Sequence, residues 1–285
     1  METYYECLPC FVRQTLDAVR LVTSDATVHE VLVRKVLDAL SRIDFKQSPP
    51  VMGQYIHREI RKAVGCEDPY KQVKVKYNQY ALRLLPDLRQ TIANAADKFE
   101  TAVRLAIAGN IIDFGASLRV DSSVIDETIK SSLISRLIGD IRIFQEAVKS
   151  AGKILYIGDN TGEIVFDQLL LGQLPHDNIV FSVRGCPILN DATMEDAVQT
   201  GLTDIVPVIH NGSDAPGIVL EECSPEFREA FDQADLVIAK GQGNFETLSD
   251  VDKNIVFLLK AKCPVVADHI GCAIGDSIAG RAVDF

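Results

Sequence analysis

Apolar residues recur at intervals of three and four through much of the first half of the chain. VHEVLVRKVLDALSRI (28–43), YNQYALRLLPDLRQTI (77–92) and DETIKSSLISRLIGDIRIFQEAVKSA (126–151) all follow this spacing, which lays one apolar stripe along a helix. The interruptions are helix punctuation: Ser48-Pro49-Pro50, Asp68-Pro69, and Gly152 after the last periodic stretch. Asp25 or Thr27 is placed to cap the 28–43 helix.

The period changes at Lys153. KILYIGDN (153–160), NIVFSVRG (178–185), TDIVPVI (203–209), ADLVIAKG (234–241) and CPVVADHI (263–270) are short runs rich in Val and Ile, expected as strands. Between most of them lie stretches expected as helices: 162–174, 192–201, 225–233 and 244–261. Alternating strands and helices predict a parallel sheet wrapped by helices. The expected class is α/β. A Rossmann-like, three-layer domain over 152–285 is expected to carry a mainly helical domain, 1–151, packed on it. No internal repeat and no low-complexity linker interrupts the chain.

With 285 residues, 47% of them hydrophobic, the chain is long enough for a substantial core. Its net charge of -11 does not advertise binding to nucleic acid or to an anionic membrane. No apolar run reaches transmembrane length, and METYYECLPC lacks the basic-then-apolar order of a signal peptide, so a cytoplasmic protein is expected. No sequence feature sets an oligomeric state. The seven cysteines are expected to be mostly free thiols. Cys7 and Cys10 form a C-x-x-C that, without a second ligand pair, is weak evidence for a redox pair or a metal site and otherwise reads as two cysteines near a helix start.

Ligands of open α/β sheets bind at the carboxyl ends of the strands, so those ends are where chemistry is expected. The first ends in LYIGDNTGE, where Asp159 and Asn160 leave the strand beside a helix start near Thr161. Two oxygen donors there suit a hard cation, and free helix-start N–H groups suit a phosphate; the same residues also make an ordinary turn. The second ends in VRGCPILNDAT. Asp191 is either the cap of the next helix or a second carboxylate for the same cation, and Arg184 faces either a phosphate or solvent. In VIAKGQGNFE, Lys240 precedes Gly241 and Gly243, so the backbone can approach a ligand closely near a cation, although no Walker sequence is present. In RLAIAGNIIDFG, Asn110 and Asp113 are three apart in an apolar run and serve either a neighbouring helix cap or the metal site.

These segments together resemble the DUF89 family of damage-control phosphatases, which includes the ARMT1-like proteins. The motifs are ECLPC, GCEDPYKQVKVKYNQ (65–79), AIAGNIIDFG (106–115), YIGDNTGE (156–163), RGCPILNDAT (184–193) and ADLVIAKGQGNFETL (234–248). The compact form with an N-terminal C-x-x-C is similar to the prokaryotic branch. The resemblance implies metal-dependent hydrolysis of phosphorylated small molecules, such as damaged sugar phosphates or cofactor precursors. The ion would be magnesium, manganese, cobalt or nickel, held by Asp159, Asn160 and Asp191. Lys240, Asn110 and Asp113 match further family positions. The expected catalytic residues are Asp113, Glu163 and Lys240; Asn110, Arg184, Lys240, Gly241 and Asn244 are expected to bind substrate. Either water or an aspartate would be the nucleophile. Two rival classes fit part of the pattern. One is a carboxyl methyltransferase using S-adenosylmethionine, whose first strand-turn KILYIGDNTGE loosely mimics without the fuller G-x-G. The other is a non-enzymatic metal- or nucleotide-binding protein.

Overall fold

The computed structural model describes residues 1–111 and 122–285. Among the described residues seven strands form one sheet: β1 (Leu137–Ile138), β2 (Ile154–Ile157), β3 (Ile179–Val183), β4 (Val208–His210), β5 (Leu236–Lys240), β6 (Ile255–Lys260) and β7 (Ser277–Gly280). Their order is β1-β7-β6-β5-β2-β3-β4. Every neighbouring pair is parallel except β6 and β7. The chain runs outward from β2 through β3 to β4, then crosses back to lay β5 on the other side of β2. The β2–β5 junction is therefore the switch point of the sheet, where a crevice opens at the carboxyl ends.

Among the described residues the α-helices are α1 (Cys7–Val22), α2 (Ala26–Leu40), α3 (Pro49–Val64), α4 (Lys71–Asn94), α5 (Lys98–Ala108), α6 (Ser122–Ile134), α7 (Ile141–Ser150), α8 (Glu163–Leu171), α9 (Met194–Gln199), α10 (Pro225–Gln233), α11 (Gln242–Leu248) and α12 (Pro264–Ile270). Several carry their own start signals. The carboxylate of Asp25 accepts from Thr27 N–H at 2.8 Å to open α2, and Asp97 accepts from Glu100 N–H at 2.9 Å to open α5. No helix among them is long and apolar enough to cross a membrane.

Buried strands alternate their side chains between two cores. Tyr156, Phe181, Ile238, Val256 and Leu258 face a cluster supplied by α4, α5, α7 and α8. Leu155, Ile157, Val237, Phe257 and Leu259 face the opposite cluster, supplied by α10, α11 and α12. A separate apolar cluster, including Phe11, Val19, Leu32, Val36, Ile56 and Ile60, holds α1, α2 and α3 together. The expected boundary at 151/152 falls between α7 and β2. Upstream of it, α4 and α5 share the sheet's core and β1 joins the sheet itself.

Three local expectations are corrected. The continuous helix expected over 126–151 breaks into α6, β1 and α7, because β1 pairs with β7 across a long sequence separation that no local period reports. The helix expected over 244–261 ends at Leu248. IVFLLK becomes β6, buried on both faces between β5 and β7, and a strand without a solvent face loses its two-residue alternation. The strand expected at 263–270 is helix α12. Cys263 caps it, Pro264 stands where a missing N–H costs nothing, and Gly271 ends it.

Gly139, between β1 and α7, has φ 109°, and a Cβ there would lie 2.0 Å from the carbonyl oxygen of Ala279. Gly139→Ala is therefore expected to lose at least roughly 2 kcal/mol through backbone strain and overpacking against β7. Urea unfolding checks this, and a parent-like midpoint would contradict the described seat of β1.

Candidate active site

The crevice at the switch point is acidic and buried. Asp159 and Asn160 follow β2, Glu163 and Asp167 lie on α8, and Asp191 follows β3; all five side chains are buried. The cations among them are Arg184 and Lys240, also buried. Asp159 Oδ1 accepts from Arg184 Nη2 at 3.3 Å, while its Oδ2 accepts from Asn160 Nδ2 at 2.8 Å and Asn110 Nδ2 at 3.3 Å. Arg184 Nε donates to Asp191 Oδ2 at 2.6 Å, and its Nη1 donates to Asn244 Oδ1 at 3.0 Å. One guanidinium thus spans the ends of β2 and β3 and the start of α11. Backbone bonds fix the same register: Ala192 N–H reaches Asp159 O at 2.8 Å, and Asn160 forms an antiparallel bridge with Asp191.

Beneath this layer lies a second one. Lys240 Nζ donates to Glu163 Oε1 at 2.7 Å, Asp167 Oδ1 at 2.5 Å and the carbonyl of Ala106 at 2.9 Å. An ammonium has three donors, and all three are used. Tyr156 O–H donates to the same Asp167 oxygen at 2.7 Å. Glu163 Oε2 accepts from Asn110 and Asn160 side-chain amides, each at 2.9 Å.

The electrostatics follow from crowding. Burial first, then Asp191 and Glu163, push the Asp159 carboxyl well above its ordinary range, with Arg184 acting the other way. Burial pushes Asp167 up to about 6 against the pull of Lys240. Burial disfavours the Lys240 charge, yet Asp167 and Glu163 outweigh it and hold the ammonium above the usual lysine value.

Gly241 marks where two strands meet. Its φ is 79°, and a Cβ there would sit 1.9 Å from Asp159 Oδ2. Only glycine lets the start of α11 pass against the carboxylate.

The structure brings together Asn110, Asp159, Asn160, Glu163, Arg184, Asp191, Lys240, Gly241 and Asn244. Asp113 lies outside the described residues. One expectation is corrected: the N–H groups at the β2–α8 turn are not free for a phosphate. Asn160 N–H goes to Glu163 at 3.4 Å, Thr161 N–H to Asn190 O at 2.8 Å, and Gly162 N–H to Asn78 Oδ1 at 2.8 Å. Lys240, Arg184 and Asn244 likewise direct these donors and acceptors to other protein groups, Asn244 donating to Lys240 O at 2.6 Å. Sequence reasoning passed over Asp167, Tyr156 and Asn78. Asp167 had a readable signal, since it stands four residues after Glu163 in GEIVFDQ and so on the same face of an otherwise apolar helix.

Among the described residues no three His, Cys, Asp or Glu side chains form a ready-made metal cage. That includes Cys7 and Cys10 in the first turn of α1. Burial raises both thiols, with Cys263 and Glu246 adding to the effect, which is the opposite of an activated thiolate.

Fold and site define an α/β protein with a buried, carboxylate-rich crevice at its switch point. The chain matches the family model described as the damage-control phosphatase ARMT1-like domain over residues 3–278. A damage-control phosphatase of Pyrococcus horikoshii is 38% identical over 289 residues, covering 99% of this chain and 98% of the relative. A damage-control phosphatase of Archaeoglobus fulgidus is 36% identical over 283 residues, covering 96% of each. An uncharacterized protein of Methanocaldococcus jannaschii is 39% identical over 290 residues, covering 96% of this chain and 93% of that one. The crystal structure of a DUF89 family protein from Pyrococcus horikoshii superposes with a TM-score of 0.90 at 34% identity, covering 99% of both chains. This chain belongs to the damage-control phosphatase ARMT1-like family.

Glu246 on α11 offers a pH test of the buried charges. Its carboxylate accepts from Gln242 Nε2 at 2.7 Å, but burial pushes its pKa up to about 7, from 4.5. The folded value is above the unfolded one, so its stabilising contribution is complete below about pH 4.5 and lost as pH rises through about 7. Glu246→Gln is expected to match the parent's Tm near pH 4.5 and to exceed it increasingly toward pH 8. A Tm difference that is constant or shrinks over that range would refute the assignment.

Proposed function

We propose that this chain is a metal-dependent phosphatase that hydrolyses phosphomonoesters of small, chemically damaged metabolites such as sugar phosphates. The observation that carries this reading is the charge balance of the crevice: Asp159, Glu163, Asp167 and Asp191 share two buried cations, Arg184 and Lys240. Buried carboxylates in excess of their cations are costly unless they take up protons or a further cation joins them. The names of the Pyrococcus and Archaeoglobus relatives support the same reading.

The donor set fits a hard divalent ion such as magnesium, manganese, cobalt or nickel. Asp159, Asn160 and Asp191 would hold it with oxygen ligands from two neighbouring strand ends. Asn110 Oδ1, buried without a partner on an amide that already touches Asp159, is a further acceptor. Magnesium-like ions commonly take one or two carboxylates and complete their shell from water and phosphate oxygens. Two carboxylates and an amide suit that habit better than a closed cage would. When bound, such an ion supplies positive charge that screens the phosphoryl oxygens from an incoming nucleophile.

The protein's own groups do the positioning. Arg184 fixes the carboxylates of Asp159 and Asp191 relative to each other. Lys240 holds Glu163 and Asp167 as the floor of the crevice. Glu163 accepts from Lys240, Asn110 and Asn160 and so joins the floor to the amides above it. Asp113 and Glu163 are the two candidate carboxylates to take a proton from the attacking water. All seven cysteines are free thiols, which fits a cytoplasmic setting.

The test is a panel of phosphorylated metabolites and p-nitrophenyl phosphate, assayed with each of the four ions and with a chelator. Turnover should require an ion, and Asp159→Asn and Asp191→Asn should each lose at least about 100-fold in kcat. Ion-independent turnover, or full activity in either variant, would overturn the metal assignment. Lys240→Met should cost roughly 3–5 kcal/mol of stability by leaving two carboxylates buried without their cation. Chemical denaturation measures that loss, and a parent-like stability would remove Lys240 from its place as the floor.

A further inference from the structure

The GCEDPYKQVKVKYNQ segment touches the site so far only through the Asn78–Gly162 bond, yet two of its residues reach the loops that carry the carboxylates. Lys74 and Asn78 stand four apart on α4, hence on one face, and both are buried. Asn78 Oδ1 accepts from Gly162 N–H at 2.8 Å, at the start of α8 and three residues after Asp159. The other end of the same amide donates to Asp196 Oδ1 at 3.0 Å and to Gln199 Oε1 at 2.8 Å, both on α9. Asp196 is itself a hub. Its Oδ2 accepts from Thr193 N–H at 2.9 Å and Thr193 O–H at 2.8 Å, and pairs with Lys74 Nζ at 2.9 Å. Thr193 lies two residues after Asp191 and bridges to Arg184.

One amide on the helical side therefore grips both loops, the one after β2 through Gly162 and the one after β3 through Asp196 and Thr193. Resting on the phosphatase reading above, we propose that Asn78 is a positioning residue for the active site. With Lys74 and Asp196 it holds Asp159–Asn160 and Asp191 in register without touching the substrate. An asparagine suits this place because it offers an acceptor to Gly162 and a donor to Asp196 at once, and a carboxylate would turn the second contact into repulsion. Lys74 neutralises Asp196 so that the clamp can be buried.

The experiment compares Asn78→Ala, Asn78→Asp and the double variant N78D/D196N with the parent. The double variant reverses donor and acceptor between the two positions while keeping an acceptor for Gly162. Using p-nitrophenyl phosphate with manganese, each single variant should lose at least tenfold in kcat with KM within threefold. N78D/D196N should recover to within threefold of the parent. Hydrogen exchange gives a readout independent of turnover: peptides covering 158–163 and 190–196 should exchange at least tenfold faster in the single variants, while those in the α10 helix do not change. A structural role alone would lower Tm and leave kcat per folded molecule intact, and that result overturns the proposal, as does parent-like exchange in both loops. If Asn78→Ala does not fold, Asn78→Ser is the substitute, with the same expectations. A parent that hydrolyses no phosphomonoester with any ion would sink the phosphatase reading alone, and the exchange data would then decide the clamp.

Discussion

A lysine with no access to water organises the centre of this protein. Lys240 ends β5, the strand laid down after the chain crosses back over β2, and its ammonium binds Glu163 and Asp167 on α8 and the carbonyl of Ala106 on α5. Those contacts tie the sheet to the helical layer on one of its faces. A charge so placed is tolerable only when all of its donors are met and its neighbours are anionic. The placement of α5 and α8 against β5 thus follows from the demands of one ammonium as much as from the apolar contacts around it. Losing either carboxylate contact would weaken the charge balance, and losing the carbonyl would leave a buried N–H donor unpaired.

The layer above repeats the device with a guanidinium. Arg184 differs from Lys240 in being planar and forked, so it can meet several partners in fixed directions. It uses that geometry to set Asp191, Asn244 and Asp159 around itself, joining three loops that leave different strands. The two cations therefore divide the carboxylates between them by depth. Glu163 links the layers, because one of its oxygens meets Lys240 and the other meets the amides of Asn110 and Asn160, which also bind Asp159.

Much of this was legible in the sequence where chemistry is concentrated at strand ends. Gly-Asp-Asn after β2, Asn-Asp after β3 and Lys-Gly after β5 could be read because an α/β pattern says where strand ends point. The failures share a cause. IVFLLK reads as part of a helix because a strand buried on both faces has no alternation, and β1 leaves no local pattern because its pairing with β7 is not a local property. Partner choice was the least legible level. Nothing in the spacing of Lys240 or Arg184 says that their donors are spent on carboxylates of their own chain, or that Asn78, more than eighty residues upstream, takes up the Gly162 N–H. Such contacts depend on which buried donor meets which buried acceptor once the layers are assembled.

That last point bears on how a phosphate dianion would be received. A sequence reading assigns phosphate binding to the nearest Lys, Arg and helix-start N–H groups. Here Lys240 has no donor left, Arg184 is engaged by two carboxylates and an amide, and the N–H groups of residues 160–162 are bonded within the protein. A dianion brought next to Asp159 and Asp191 would meet repulsion from fixed negative charge, and in a buried crevice that repulsion is poorly screened. On the proposed reading the positive charge that offsets it must come with an ion and not from the side chains that look cationic in the sequence. The buried lysine and arginine then have a different task, which is to keep the carboxylates assembled so that an ion has somewhere to bind.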